Sequence, residues 1–222
     1  LIKLTSAYCS IVNGGKFIEP KQIDRIQDSE GNTIFKTEVR KCKNCEDVSM
    51  QSNEVPEIKD ESKQIFSSQT AYQITSILEG ATRTGTAKKL RDLRMDLAGK
   101  TGTTNKNTDT WFIGFTSDLV IGVYVGHDEP KSLGKFETGA KTAMPIFKSF
   151  IKSALKKENT RPFKVPENIT MMVVDSKTGK KVSFASKKTL IESFKSNKVL
   201  EKTNISKKIN NRFNNNNILR FY

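Results

Sequence analysis

The 222-residue chain reads as an α+β protein: three antiparallel strands plus packing helices, followed by a disordered C-terminal tail. Three observations predict this. Apolar and β-branched runs near 95–103, 109–116 and 119–127 are joined by short polar turns at Asn105-Lys106-Asn107 and Thr116-Ser117-Asp118. Turns that short force antiparallel pairing. Apolar residues recur at spacings of three and four near 4–13, 71–78 and 145–157, the period of a helix with one buried face. From about Ser186 the sequence becomes rich in Lys, Asn and Ser and runs into Asn214-Asn215-Asn216-Asn217, too polar to bury a core.

Taken in order, Leu4, Ala7, Tyr8, Ile11 and Val12 form one helical stripe, stopped by Asn13-Gly14-Gly15. Phe17 to Ile26 and Thr33 to Phe35 read as two strands about the turn Asp28-Ser29-Glu30-Gly31-Asn32. Lys36 to Lys63 is polar and reads as a surface loop or insertion. Ser67 to Thr70 opens a helix over Ala71 to Leu78, closed by Glu79-Gly80, with a Thr/Gly-rich loop over Ala81 to Ala87. After the three strands, Pro145 stands near the start of an amphipathic helix carrying Ile146, Phe147, Phe150, Ile151 and Leu155. Pro166 to Val182 reads as a small hairpin about Ser176-Lys177-Thr178-Gly179. The expected division is therefore 1–157, a β-rich extension over 158–185, and a basic low-complexity tail over 186–222.

Composition narrows the function classes. Hydrophobic residues make up 35% and charged residues 28%, which fits a folded segment joined to a polar one. From Phe150 onward there are 17 Lys/Arg against 5 Asp/Glu, so +12 of the +14 net charge lies in the last third. That surplus is mixed with Asn, Ile and Ser, so a solvated tail is expected rather than a nucleic-acid site. No run of 18 apolar residues exists, and the start at Leu1 lacks both an initiator Met and a charged leader. No membrane span or signal is therefore expected here, and the chain is expected to be a fragment beginning inside a longer protein. Cys42-Lys43-Asn44-Cys45 has redox or half-zinc spacing, but His127 is the only histidine and the only other cysteine is Cys9. No metal site and no cofactor are expected, while a local disulfide stays open.

The most informative stretch is Leu97-Ala98-Gly99-Lys100-Thr101-Gly102-Thr103-Thr104-Asn105, followed by Asp109-Thr110-Trp111-Phe112-Ile113-Gly114-Phe115-Thr116 and Val123-Tyr124-Val125-Gly126. It closely resembles the transpeptidase domain of class A penicillin-binding proteins, with the 1A-type bifunctional peptidoglycan synthases fitting best. Thr5-Ser6-Ala7-Tyr8, Asn13-Gly14-Gly15, Glu19-Pro20, Gln69 to Tyr72, Gly85-Thr86-Ala87, Thr138-Gly139-Ala140 and Pro145-Ile146-Phe147 are similar to flanking elements of that family. The likeness runs from about Leu4 to Lys156 and weakens toward Ser183. A bare Lys-Thr-Gly is a poor signal, since Lys177-Thr178-Gly179 repeats it in what reads as a turn.

The resemblance implies the penicillin-binding/serine β-lactamase-like fold and a two-step acyl transfer. A serine is acylated by the D-Ala-D-Ala end of a stem peptide, and an amine from a neighbouring strand then attacks. It implies catalytic roles for Lys100, which tunes protons and attracts the substrate carboxylate, and for Thr103, whose backbone N–H is an oxyanion donor. Thr101, Gly102, Thr103 and Thr104 would bind substrate, with Gly102 letting a peptide lie along the strand edge. Stem peptide and β-lactams are the implied ligands, at the periplasmic face of the bacterial inner membrane for the parent protein.

The departure lies in the first two signatures. Ser-x-x-Lys occurs only at Ser132–Lys135, Ser149–Lys152 and Ser153–Lys156, all after Lys100, and Ser-x-Asn does not occur. The chain alone is therefore expected to be inactive. The family's sheet has five strands and this chain supplies three, so strand 119–127 is expected to keep an open edge and the last helix an uncovered apolar face. Two other readings stand beside the inert piece. The chain could complement a separate N-terminal fragment in a two-chain enzyme, or its basic tail could bind wall polymer or nucleic acid.

Overall fold

Strand β6 (Asp109–Phe115) organises the first part of the computed structural model, which describes residues 1–37, 42–43, 57–58, 60, 62–155, 160–183 and 188–196. It pairs antiparallel with β5 (Ala98–Thr103) on one side and with β7 (Val120–Gly126) on the other. The register runs Lys100↔Ile113↔Gly122 and Gly102↔Trp111↔Tyr124. The strand order is β5-β6-β7, as the short turns require. Both outer edges lack a strand partner among the described residues.

Alternation along β6 gives the sheet two different faces. On one, Phe112 and Gly114 meet helix α3 (Ala143–Ala154), with the Phe112 and Phe147 rings 4.9 Å apart and both side chains fully buried. Gly114 is required there, since a Cβ would fall 2.5 Å from Phe147 Cζ. On the other face Phe115 and Ala98 are buried beside Tyr8 of helix α1 (Ile2–Val12), and Gly122 lies under Thr5. Phe163 also reaches Phe115, at 5.7 Å. The first compact unit extends to Lys164 and a second begins at Val165.

Helix α1 ends where the sequence expects. Asn13 N–H donates to Cys9 O and Gly15 N–H to Ser10 O, and both glycines adopt positive φ. A side chain on Gly15 would strike Phe66 O at 2.1 Å, so that turn is closed to other residues. Between Phe17 and Asp24 no strand forms beyond the Lys16↔Gln64 bridge, because Pro20 has no N–H to donate. Only β1 (Arg25–Gln27) and β2 (Thr33–Lys36) pair, about a turn closed by the Asp28 carboxylate on the Glu30 and Asn32 amides. Within the expected loop, β3 (Cys42–Lys43) pairs with β4 (Glu57–Ile58); Cys45 lies outside the described residues.

Helix α2 (Ser68–Arg83) is longer than its sequence suggests. Ser67 caps it by accepting the Thr70 amide, but Gly80 does not stop it. Buried Thr82 donates its hydroxyl to Leu97 O at 2.5 Å, tying the last turn to the residue before β5. Tertiary anchoring outweighs the helix-breaking tendency of one half-buried glycine, worth ~1 kcal/mol. A 3₁₀ turn over Lys88–Leu93 then buries Leu90 and brings the chain into the sheet.

In the second unit β8 (Ile169–Asp175) pairs with β9 (Thr189–Lys195) along seven residues. The expected turn at Ser176–Gly179 does form, with the Asp175 carboxylate accepting the amides of Lys177 and Thr178. The strand expected after it is reduced to one bridge, Val174↔Lys181. Strand β9 lies inside the segment assigned to the tail; Leu190, Ile191 and Phe194 give it the branched and aromatic content of a strand that net composition hides. Residues 197–222 lie outside the described set.

Candidate active site

Lys100, Thr101, Gly102 and Thr103 all lie on β5, whose outer edge carries no other strand among the described residues. Thr104 N–H donates to Asp109 O at 3.0 Å, which fixes the phase of the ladder. Inward and outward backbone groups alternate, so the N–H and C=O groups of Thr101 and Thr103 point away from β6 onto the open edge. The Lys100 ammonium donates to one of these, Thr101 O, at 2.7 Å. The strand thus offers an outward amide at Thr103, a lysine beside it, and no side chain at Gly102.

Side chains of β5 divide between the two faces. Lys100 shares the face of Ala98 and Ile113, the one that also carries α1. Thr101 and Thr103 share the α3 face, and each hydroxyl touches an element outside the sheet. Thr101 Oγ1 lies 3.3 Å from Thr86 Oγ1, in the Thr/Gly-rich loop after α2. Thr103 Oγ1 accepts the Gly139 N–H at 3.1 Å. Gly139 rests on the backbone of the sheet: a Cβ there would fall 2.4 Å from Trp111 O and 2.6 Å from Gly102 O.

Thr104, the fourth residue placed at the site, belongs to the turn that ends the strand. Its hydroxyl accepts the Asp109 amide at 2.8 Å and approaches the Asp109 carboxylate at 3.3 Å. Asp109 Oδ1 also accepts the Tyr124 hydroxyl at 2.7 Å, and Oδ2 accepts the Thr108 hydroxyl at 3.0 Å. These donors, Tyr124 foremost, hold the Asp109 carboxyl below its usual range, and Asp109 in turn raises the Tyr124 phenol. The turn is fixed from a second side by Asn107, at positive φ, whose amide donates to Gly134 O and Lys135 O.

The late Ser-x-x-Lys triplets sit elsewhere. Ser149 and Ser153 are on α3, which covers the sheet face opposite Lys100, and Ser132 Oγ accepts the Gly134 amide at 3.2 Å. Thr86, Gly139, Asp109 and Tyr124 carry contacts that sequence spacing does not single out as part of the site. All four fall within stretches of family likeness, which gives none of them a role at the site. Among the described residues no group of three His, Cys, Asp or Glu stands close enough to hold a metal ion. No helix among them is long and apolar enough to cross a membrane.

Comparison with known proteins bears on this strand and its surroundings. The sequence model of the penicillin-binding protein transpeptidase domain matches residues 1–152. Penicillin-binding protein 1A of Rickettsia prowazekii is 43% identical over 203 residues, covering 90% of this chain and 25% of that protein. The Rickettsia bellii protein of the same name is 40% identical over 218 residues, 97% of this chain and 27% of its own length. The crystal structure of penicillin-binding protein 1A from Haemophilus influenzae superposes with a TM-score of 0.70 at 30% identity, covering 90% of this chain and 32% of that one. The chain thus spans about a quarter of the curated relatives it matches. With the match running over all of α1 through the body of α3, and Lys100-Thr101-Gly102-Thr103 on the sheet edge within it, this chain belongs to the penicillin-binding protein transpeptidase family.

Proposed function

We propose that residues 1–157 supply one wall of a serine-type D,D-transpeptidase site used in peptidoglycan synthesis. The observation that carries this is the open edge of β5, where the outward amide of Thr103 follows Lys100 and a bare Gly102. A stem peptide ending in D-Ala-D-Ala would add along that edge as an extra strand, its main chain meeting the outward groups of Thr101 and Thr103. The Thr103 N–H would stabilise the oxyanion that forms when a serine attacks the penultimate carbonyl, a contribution of ~3 kcal/mol for one well-aimed donor. Lys100, with its ammonium at the strand edge, would draw the substrate carboxylate and move protons near the attacking hydroxyl. The hydroxyls of Thr101, Thr103 and Thr104 would bind or shape the carboxylate end. β-Lactams would enter the same edge as acylating analogues of the peptide.

The attacking serine is not among these 222 residues: no Ser-x-x-Lys precedes Lys100, and of those that follow it Ser149 and Ser153 belong to α3, on the opposite face of the sheet. The chain by itself is accordingly inert, and the activity belongs to an assembly in which another segment presents the serine, at the periplasmic face of a bacterial inner membrane. The test is a fluorescent penicillin offered to the chain alone and to the chain with an upstream transpeptidase segment of a relative. No labelling alone, with labelling of the mixture, supports both halves of the reading. Labelling of the chain alone would show that a nucleophile is present after all.

A second reading, complementation between two separately made pieces, is favoured by the uncovered surfaces. Strand β7 carries no strand on its outer edge among the described residues, and α3 leaves Ile146 and Phe150 about half exposed. Stable co-purification of the two segments would distinguish it.

A further inference from the structure

Of the side chains assigned to the site, Thr103 has a feature that its position on β5 does not explain: its hydroxyl oxygen is already engaged. Gly139 N–H donates to Thr103 Oγ1 at 3.1 Å. A threonine hydroxyl has one proton to give and two lone pairs to offer. With an amide donating into one lone pair, the O–H is turned away from Gly139 and acts as a donor toward the exposed side. A donor is what a carboxylate needs, and a bond from hydroxyl to an ionised oxygen is stronger than one between neutral groups.

Gly139 holds this position through α3 and the sheet. Its carbonyl accepts the Met144 amide at 2.8 Å, in the first turn of α3. The preceding carbonyl, Thr138 O, accepts the Thr142 amide at 3.0 Å and the Thr142 hydroxyl at 3.0 Å. Thr142 Oγ1 lies 2.6 Å from the fully buried Thr110 hydroxyl on β6. Helix α3 is itself fixed by Phe147 against Phe112. The α carbon of Gly139 lies so near Gly102 O and Trp111 O that no side chain fits, which keeps the Gly139 amide within reach of Thr103.

We propose that the Thr138-Gly139-Ala140 turn is a positioning element for substrate recognition: the Gly139 amide orients the Thr103 hydroxyl as a donor to the C-terminal carboxylate of the peptide. Gly139 acts through Thr103 and touches no substrate. This deepens the reading of β5 as the substrate edge and rests on it. It also extends the specificity apparatus from the strand to a turn 36 residues later in the chain.

The test uses the full 222-residue chain and two probes, a diacetyl-Lys-D-Ala-D-Ala peptide and the same peptide ending in a neutral carboxamide. Amide chemical shifts followed by NMR give both affinities. The wild-type chain is expected to prefer the carboxylate peptide by tenfold or more, the scale of about one hydrogen bond to a charged group. Thr103→Val is expected to cut the preference several-fold, leaving the part that the Lys100 ammonium supplies, and Thr103→Ser to keep it in full. Gly139→Ala is expected to reduce it while leaving the Lys100 ammonium in place. Because Gly139→Ala can disturb the fold, amide exchange at Gly139 is read in the Thr103→Val chain, where loss of the acceptor should speed exchange while α3 amides stay protected. A wild-type chain that binds neither probe, or both alike, sinks the substrate-edge reading and the inference with it. A preference of the same size in wild type and Thr103→Val, or unchanged Gly139 exchange in that variant, overturns the inference alone.

Discussion

Gly114 and Phe147 should be coupled, and the coupling can be measured. Gly114 is the last residue but one of β6, and a methyl placed on it would fall 2.5 and 2.6 Å from two atoms of the Phe147 ring and 2.7 Å from Phe112 Cε1. Both rings are fully buried, so neither can swing into solvent. Gly114→Ala therefore overpacks the contact between sheet and α3 and should cost about 1–3 kcal/mol. Phe147→Ala removes a buried ring and should cost about 3–5 kcal/mol. In the double variant the new methyl occupies space the Phe147 ring has vacated and meets only Phe112, so most of its cost should vanish, leaving a coupling of about 1–2 kcal/mol. Urea unfolding followed by fluorescence suits the test, because the single tryptophan, Trp111, sits on β6 and reports the first unit. Single-variant costs that simply add, within about 0.5 kcal/mol, would refute the seating of Phe147 on Gly114.

Other expectations follow from contacts around the site. Asn107→Ala removes two amide bonds to the 134–135 backbone and leaves alanine at positive φ, so it should cost about 1–3 kcal/mol. Trypsin should then cut faster at Lys131 and Lys135 than in the wild type. Tyr124→Phe removes the strongest donor to Asp109, and a carbon-13 NMR titration should find that carboxyl moved up toward its ordinary value. Glu79, in α2, has its carboxyl raised chiefly by burial, with Asp96 adding to the rise and Arg83 opposing it. A carboxyl raised on folding gives stability that is full at low pH and is lost as pH rises through the folded value. Glu79→Gln lacks that loss, so its stability relative to wild type should improve between pH 4.5 and 7 in paired urea series.

Much of this was legible in the sequence where one local pattern fixes one element. The three strands were readable because apolar alternation and two short turns leave antiparallel pairing as the sole solution. Helix α3 was readable because Phe147 and Ile151 share one face. What could not be read is set by contacts distant in the chain. Nothing near Gly80 announces that Thr82 will be held by Leu97, so α2 runs past the stop that Glu79-Gly80 suggests. Nothing in Thr189–Lys195 reveals Ile169–Asp175 as its partner, and a lysine-rich neighbourhood masked the strand. At the site, Lys100 to Thr104 could be named from their order, whereas the Gly139 amide on Thr103 depends on how α3 docks, 36 residues away.

The most direct measurement of the central claim, that β5 forms a substrate wall whose nucleophile comes from outside these residues, is intact-mass analysis with peptide mapping after exposure to benzylpenicillin. The chain alone should gain no covalent adduct. Mixed with an upstream transpeptidase segment, it should support an adduct on a serine of that segment, and a Thr103→Pro chain, lacking the outward amide, should support far less. An adduct mapped to Ser132, Ser149 or Ser153, or equal acylation with Thr103→Pro, would contradict the account.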